Sequence, residues 1–138
     1  MTTRAKVLEF DIVVAGDGTA TSGRGGSPLP AEEAWAAEHL VLAGLVRCTL
    51  ASLDHHIRRA GIAATGSGSA HGVVTQREDD GLHAFVEIDT AISVDVEPAL
   101  GPQERRELVE KAERGCFVAN SLLVKPRFSW TFNGEEMT

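Results

Sequence analysis

The stretch that decides the fold is Ala36 to Gly61, which reads AAEHLVLAGLVRCTLASLDHHIRRAG. Between Leu40 and Leu53 it is apolar on nearly every side, and a helix that is apolar all round is a buried helix. The apolar run is shorter than the roughly 20 residues that span a bilayer. The final third is polar and basic, and Gly61 is the kind of residue that commonly ends a helix. The stretch therefore predicts a long core helix with Cys48 in its middle.

Length, composition and charge are those of a soluble globular protein. The chain has 138 residues, which predicts a single domain over residues 1–138. A net charge of −7 argues against a nucleic-acid partner, which requires a basic face. The N-terminal sequence MTTRAKVLEF lacks the apolar core of a signal peptide, and no apolar run is long enough to cross a membrane. These features predict a cytoplasmic protein with no membrane partner.

The residues before the core helix predict a hairpin and a loop. Val7–Ala15 has the alternation and β-branched content of a strand, and Gly16–Gly18 is a turn signal before a returning strand at Thr19–Ser22. Gly23–Pro30 is a loop by composition, and its GRGG sequence lacks the spacing of a phosphate-binding loop. Ala31–Trp35 is interpreted as a short helical lead-in, because Pro30 suits a first helical turn.

After the core helix, the pattern changes to strands. Ala63–Gly72 is rich in small residues and predicts a loop or a loose strand start, continued by a strand at Val73–Arg77. Glu78–Gly81 predicts a turn, and Leu82–Glu97 alternates with a period near two. Its acidic residues fall on one face, which indicates a solvated surface rather than a cation site. These residues are Glu87, Asp89, Asp95 and Glu97.

The last third of the chain predicts two helices and a strand. Pro102–Arg114 has only a thin apolar stripe, formed by Leu108, Val109 and Ala112, which predicts a surface helix. After Gly115, the apolar segment Cys116–Leu123 predicts a third helix. Pro126–Phe132 predicts a closing strand with its three aromatic residues on one face. The order of elements indicates an α+β fold.

The chain has two cysteines, Cys48 and Cys116, and we hypothesise that their thiols face one another. In the cytoplasm, such a pair is reactive or simply buried more often than it is a static disulfide. Cys116 begins a predicted helix, whose dipole would lower its thiol pKa and favour the thiolate. Cys48 lies among apolar residues and would need a cation or a hydrogen-bond donor from elsewhere to react. The candidates are Arg24, Arg47 and Arg127, and Arg47 is the weakest because adjacent helical residues point about 100° apart.

Two motifs carry a resemblance to a known family. Residues 38–48, EHLVLAGLVRC, resemble the first turn and cysteine of the central helix in the OsmC/Ohr family of osmotically induced and organic-hydroperoxide-resistance proteins. Residues 115–122, GCFVANSL, look like the second-cysteine motif of that family. The resemblance covers essentially the whole chain. It implies an OsmC-like fold, with antiparallel sheets wrapped around a long buried central helix in an intertwined homodimer.

The resemblance also implies a reaction and a role for each site residue. Cys48 would attack an organic hydroperoxide and become a sulfenic acid, and Cys116 would resolve it as a disulfide. Glu38 would orient an activating arginine. An external dithiol of the dihydrolipoamide type, free or on a lipoylated protein, would then reduce the enzyme, with no bound cofactor. The step from thiolate through sulfenic acid to disulfide is ordinary cysteine chemistry.

The chain departs from the family pattern at three positions, which suggests a divergent member. The peroxide reductases of the family carry an arginine just before an Asp-Gly in the first hairpin, whereas this chain has Ala15-Gly16-Asp17-Gly18, so Arg24 in the next loop is the candidate substitute. Phe117 replaces a proline, and Ala119 stands where a serine is common. The alternative function is a non-peroxidase member of the fold that binds a small apolar or reactive ligand and has inert thiols.

Spacing supports the homodimer and argues against a metal. Glu38 and Cys48 are ten residues apart, which on one helix is roughly 15 Å. No side chain closes that gap, so a shared site would take Glu38 from one subunit and Cys48 from the other. The histidines show no ligand spacing such as two positions four residues apart beside a carboxylate, so we expect no metal.

Overall fold

The computed structural model describes residues 5–137. By its internal contacts the chain divides into two compact units, residues 1–37 and residues 38–138. The prediction of one domain over residues 1–138 stays a prediction.

The N-terminal unit contains a short antiparallel ribbon. Strands β1 (Ile12–Val14) and β2 (Ala20–Ser22) pair in register, and the predicted Asp-Gly turn joins them. In that turn the Asp17 carboxylate accepts a hydrogen bond from the Thr19 amide at 2.9 Å, and this bond lowers the pKa of Asp17. The prediction of a strand over Val7–Ala15 was too long, because only three of those residues pair with β2.

The predicted helical lead-in at Ala31–Trp35 was also wrong. The chain makes a turn there, closed by the Trp35 amide donating to the Glu32 carbonyl at 2.9 Å. Helix α1 begins only at Ala37.

The second unit is an α+β arrangement built on one four-stranded sheet. The sheet order is β3-β4-β5-β6, with β4 and β5 parallel and the other neighbours antiparallel. Parallel neighbours need a long crossover, and here helices α2 and α3 supply it between β4 and β5. The elements are α1 (Ala37–Arg59), β3 (Ala63–Gln76), β4 (His83–Glu97), α2 (Pro102–Arg114), α3 (Phe117–Ser121), β5 (Arg127–Phe132) and β6 (Glu135–Glu136).

Helix α1 ends as the sequence predicted. Gly61 has a φ of +69°, and its amide donates to the Arg58 carbonyl at 3.2 Å. The Ile62 amide donates to the Ile57 carbonyl at 3.1 Å, and both of these side chains enter the same core. This is the Schellman arrangement, in which a left-handed glycine satisfies the last carbonyls of a helix.

Helix α1 is buried on one stripe and not all round. Its buried side chains recur every four residues, at Leu45, Thr49, Leu53 and Ile57. Leu40 and Val41 are 42% and 38% exposed, so the prediction of a helix buried on every side does not hold within one chain. Among the described residues, α1 is the one helix whose length and composition would allow a membrane span. Its buried stripe packs in the core of the second unit, as expected of a core helix.

Strand β3 corrects the prediction of a loop at Ala63–Gly72. All fourteen residues of β3 pair with β4, and its inward positions from residue 64 to residue 72 are glycine or alanine. A Cβ atom added to Gly66 would lie 3.0 Å from both Leu50 and Leu53, and one added to Gly72 would lie 3.2 Å from Leu42. The small residues therefore let α1 lie directly on the strand, and this contact outweighs the poor strand propensity of glycine.

Strand β4 and helix α2 confirm the sequence patterns. From Ile88 onward β4 alternates strictly between buried and exposed residues, and α2 buries its apolar stripe of Leu108, Val109 and Ala112. The inward face of β5 carries Trp130 and Phe132, whose rings stack with centroids 6.3 Å apart. These residues belong to a core of eleven buried side chains, which we name the aromatic cluster. Its members are Leu53, Ile57, Ile92, Val94, Val96, Leu100, Leu108, Val109, Ala112, Trp130 and Phe132.

Candidate functional site

The two cysteines are far apart in the sequence of the second unit. Cys48 lies in the middle of α1 and is half-buried, whereas Cys116 lies between α2 and α3 and has no exposed surface. The residue before it, Gly115, fixes how near the chain runs to α1. A Cβ atom there would lie only 2.5 Å from the Ser52 hydroxyl and 3.3 Å from the Lys111 carbonyl. Glycine is thus the residue that lets Cys116 reach the helix that carries Cys48.

The two thiols share one apolar cluster, which we name the thiol cluster. Its buried members are Leu45, Ile88 and Cys116. Cys48 packs against it, with a set of half-buried side chains from four elements and loops: Leu42, Phe85, Val118, Ala119, Leu122, Val124 and Phe128. Cys48 packs against the cluster that contains Cys116, its proximity helps to raise the pKa of the Cys116 thiol, and both thiols are free. The structure therefore brings Cys48 and Cys116 together in reduced form.

The environment of Cys116 corrects the expectation that a helix start would lower its pKa. Burial raises the pKa of the Cys116 thiol above its ordinary value of 9.0, and the nearby Cys48 adds to the increase. Hydrogen bonds from Thr49 and from the Ala119 backbone act in the opposite direction but do not overcome burial. A thiol removed from water favours its neutral form. Cys116 is therefore protonated at neutral pH.

Helix α3 is also shorter than the predicted segment Cys116–Leu123. It has five residues, Phe117–Ser121, and Cys116 is the residue that precedes it. Asn120 ties this short helix to the end of α2 by donating to the Arg114 carbonyl at 3.0 Å. Phe117 and Leu123 are both exposed. The element that follows Cys116 is thus a short helix of five residues.

Sequence analysis missed one residue of the site, Thr49. It is completely buried, its hydroxyl lies 2.9 Å from the Leu45 carbonyl oxygen, and the same hydroxyl lies 3.4 Å from the Cys116 sulfur. The available signal was a polar residue inside an apolar helical run, directly after Cys48. That signal does not identify a partner 67 residues away in sequence.

Arg127, a candidate to activate Cys48, binds two carboxylates of β4 instead. Its guanidinium binds the Asp89 carboxylate through two hydrogen bonds, of 2.7 and 3.0 Å, and also contacts the Glu87 carboxylate. These carboxylates raise the pKa of Arg127, and they account for half of the predicted acidic face. Arg127 and Asp89 face away from α1, since the inward side chains of β5 start at Phe128. Arg127 therefore does not activate Cys48 within the chain.

The remaining candidates for the site are Arg47, Arg24 and Glu38. Arg47 is exposed on α1, and no arginine among the described residues from 38 to 137 donates a hydrogen bond to Cys48. Arg24 belongs to the N-terminal unit, where its guanidinium lies 5.1 Å from the centre of the Phe10 ring. Glu38 is exposed in the first turn of α1, on the same continuous helix as Cys48 and therefore about 15 Å from it.

Among residues 5–137, no three histidine, cysteine, aspartate or glutamate side chains come together in a way that could hold a metal ion. The chemistry available at the thiol cluster is that of two sulfur atoms, one hydroxyl and the surrounding backbone.

Comparison with known proteins identifies the fold and the family. Comparison with curated proteins gave no match. Among solved structures, an OsmC-like protein of unknown function from Vibrio cholerae matches with a TM-score of 0.77 and 15% identity, covering 90% of this chain and 99% of the other. An organic hydroperoxide resistance protein from Elizabethkingia anophelis matches at 0.70 and 19%, covering 94% and 100%. An OsmC-like protein from Mycoplasma pneumoniae matches at 0.72 and 18%, covering 94% and 99%.

Identities this low establish the fold alone, which is the OsmC-like fold that the resemblance implied. The family assignment rests on a separate match, since the family model described as OsmC-like protein fits residues 30–131. That range contains α1, the strands of the main sheet up to Thr131, and both cysteines. The chain belongs to the family of OsmC-like proteins.

Proposed function

We propose that the protein is a thiol peroxidase that reduces organic hydroperoxides. The Cys48 thiolate attacks the outer oxygen of the hydroperoxide, breaks the O–O bond, and releases an alcohol, which leaves Cys48 as a sulfenic acid. The Cys116 sulfur then attacks the Cys48 sulfur and expels the hydroxyl group as water. The product is a Cys48–Cys116 disulfide. A peroxide-related role is supported at the level of the family, which includes hydroperoxide resistance proteins.

The observation that carries this proposal is that the two thiols share one apolar cluster. Cys48 is half-buried and can be reached from solvent, while Cys116 is fully buried. Such an order suits a reaction in which the outer thiol meets the oxidant and the inner one closes the disulfide. An apolar wall that includes Leu42 and Phe85 favours an organic hydroperoxide over hydrogen peroxide.

Recovery of the enzyme requires an external reductant. A dithiol of the dihydrolipoamide type, free or attached to a protein, would exchange with the disulfide and leave both cysteines reduced. The protein itself would bind no cofactor. We infer that it works in the cytoplasm, where reduced thiols are maintained.

We further propose a homodimer in which the active site is shared. Glu38 and Cys48 are about 15 Å apart on one helix, so Glu38 can serve Cys48 only across subunits. The adjacent apolar side chains of Leu40 and Val41 are 42% and 38% exposed on α1, which suits a helix face that a second subunit covers. Light scattering is expected to give twice the chain mass of 14.7 kDa. A monomer at micromolar concentration would contradict the shared site.

Arg24 is our candidate for the activating arginine, oriented by Glu38 from the other subunit. A guanidinium beside a thiolate stabilises the charged form of the nucleophile. Arg24→Ala is expected to slow the oxidation of Cys48 by cumene hydroperoxide about a hundredfold at pH 7, and Glu38→Gln by a smaller factor. An unchanged rate in Arg24→Ala would remove Arg24 from the site.

The proposed function is tested by hydroperoxide consumption with dihydrolipoamide as the reductant. The wild-type protein is expected to turn over many times. Cys48→Ser is expected to be inactive, and Cys116→Ser is expected to form no protein disulfide and to turn over only through direct reduction of the Cys48 sulfenic acid by the dithiol. Equal consumption by the wild type and Cys48→Ser would overturn the proposal.

One observation favours a second function, a ligand-binding protein with inert thiols. Within residues 38–137, the structure shows no arginine side chain donating to Cys48. Thiol reactivity separates the two functions, because an inert thiol reacts with peroxide no faster than free cysteine does. Persistence of both thiols for many minutes in excess cumene hydroperoxide would favour the binding protein.

A further inference from the structure

The hydroxyl of Thr49 has two partners inside the thiol cluster. It lies 2.9 Å from the Leu45 carbonyl oxygen and 3.4 Å from the Cys116 sulfur. A hydroxyl group carries a single hydrogen, and a carbonyl oxygen only accepts. While Thr49 donates to Leu45, it can therefore only accept from Cys116. The thiol hydrogen of Cys116 then has two acceptors within reach, the Thr49 hydroxyl oxygen at 3.4 Å and the Leu45 carbonyl oxygen at 3.9 Å, and Thr49 is the nearer of the two.

We propose that Thr49 is a positioning residue for disulfide formation, whose hydroxyl orients the Cys116 thiol and then donates to the Cys116 thiolate as it attacks Cys48. This inference rests on the proposed function, because it assigns a residue to the second step of that reaction. Thr49 does not touch the hydroperoxide.

The switch of the hydrogen bond follows from what each partner can do. Once the thiol has lost its hydrogen, the Leu45 carbonyl, 3.9 Å from the sulfur, has nothing to offer a negative charge. The hydrogen of the Thr49 hydroxyl can turn from that carbonyl to the sulfur at little cost, because only a rotation about the Cβ–Oγ1 bond of Thr49 is needed. A hydrogen bond to a charged group is stronger than one between neutral groups. Thr49 therefore stabilises the attacking form more than the resting form.

Burial makes this contribution important. The pKa of Cys116 is raised chiefly by burial, and the Thr49 hydroxyl is the largest of the influences that lower it. The Ala119 backbone is a second, smaller one, which a substitution at Thr49 leaves in place. Losing the hydroxyl should accordingly slow disulfide formation without abolishing it.

The step can be isolated with 4,4′-dithiodipyridine, which does not depend on peroxide chemistry. The half-buried Cys48 thiol attacks the reagent, forms a mixed disulfide and releases one thiopyridone. Cys116 then attacks the Cys48 sulfur and releases the second thiopyridone, which takes up the proton that Cys116 loses, as the protein disulfide forms. The two absorbance phases report the two thiols separately in the full-length protein.

Thr49→Val removes the hydroxyl and keeps the shape, and Thr49→Ser keeps the hydroxyl as the matched control. In Thr49→Val the second phase is expected to slow about tenfold at pH 7, consistent with the loss of one hydrogen bond to a charged group. Its pH profile should move to higher pH, since the thiolate becomes harder to form. The first phase should change less than about twofold. Thr49→Ser should restore both the rate and the pH profile.

A second-phase rate and pH profile unchanged in Thr49→Val would overturn the inference, as would an equal loss in Thr49→Ser. A purely structural role would slow both phases and would leave the pH profile in place. If Thr49→Val does not fold, Thr49→Ala takes its place, because alanine suits a helix interior. If the reagent gives the expected phases but cumene hydroperoxide oxidises neither thiol in the wild type, the peroxidase proposal fails and the role of Thr49 stands.

Discussion

The aromatic cluster and the thiol cluster lie under the same helix but are built very differently. The aromatic cluster has eleven buried side chains, includes two large rings, and takes three of its buried members from the 13-residue helix α2. The thiol cluster has three buried side chains and a margin of half-buried ones. It is covered by a helix of only five residues. The first is a conventional core, and the second is a small, weakly packed site.

The difference suits the reaction that we propose. A disulfide requires the two sulfur atoms to approach to about 2.05 Å, so the groups around the two thiols would have to shift as it forms. Regions with few buried apolar contacts open at low free-energy cost, whereas a dense core does not. The denser packing lies along the second half of α1, and the proposed reaction uses the sparser packing along its first half.

The largest effect should come from breaking the aromatic cluster. Phe132 has no exposed surface, so Phe132→Ala is expected to lower the free energy of unfolding by about 3–5 kcal/mol. The matched control is Phe117→Ala in α3, where the exposed ring should contribute within about 0.5 kcal/mol. Urea denaturation measures both. Equal losses would show that the two regions do not differ in the way described.

The next effect concerns the close packing around Gly68 of β3, whose nearest neighbours lie in β4, with Val46 of α1 3.1 Å from where a Cβ atom would lie. A Cβ atom on Gly68 would lie 2.8 Å from Ile92 and 2.9 Å from the Ala91 carbonyl oxygen, which belongs to the backbone and cannot turn away. Gly68→Ala is therefore expected to cost about 1–3 kcal/mol. Gly44→Ala on α1 meets nothing within 4 Å in the chain and should raise stability by up to about 1 kcal/mol, as alanine favours a helix. A tolerated Gly68→Ala would contradict the close packing.

A smaller effect is expected where Gly115 holds the thiol cluster against α1. Gly115→Ala would place a methyl group 2.5 Å from the Ser52 hydroxyl, so the chain at Cys116 must shift. We expect a loss of about 1–2 kcal/mol and slower disulfide formation. The double variant with Ser52→Ala removes that oxygen and should recover most of both losses. Failure to recover would place the cause at the Lys111 carbonyl instead.

The smallest effect is a dependence of stability on alkaline pH. Because burial raises the pKa of Cys116, the folded protein holds this proton more tightly than the unfolded chain. The resulting stability is complete below the unfolded value of 9.0 and is lost as the pH rises above it through the folded pKa. Cys116→Ala should show a shallower loss between pH 9 and 10.5, measured by urea denaturation. Identical curves would contradict the raised pKa.

Periodicity allowed the sequence to predict the parts of the fold that depend on local order. The stop of α1 at Gly61, the alternation of β4 and the apolar stripe of α2 were confirmed. The strand at Ala63–Gly72 was not predicted, because its glycines are explained only by the side chains of α1 that lie over them. Tertiary contact overrode local propensity there.

The candidate site was predicted only in part, because some of its contacts join residues that are far apart in the sequence. The pairing of Cys48 with Cys116 followed from a resemblance over two motifs, and the structure brings the two residues together. The pKa of Cys116 was predicted in the wrong direction, since a local dipole argument cannot include burial beneath α1. Thr49 was missed because its partner lies far away in sequence.

The most direct test of the account is the intact mass of the reduced protein over the first seconds after one equivalent of cumene hydroperoxide. The account predicts a loss of about 2 Da per chain with the loss of both free thiols, as expected for a Cys48–Cys116 disulfide. Cys116→Ser should instead gain about 16 Da, the mass of a sulfenic acid oxygen on Cys48. Both thiols remaining unchanged for many minutes in the wild type would contradict the peroxidase assignment.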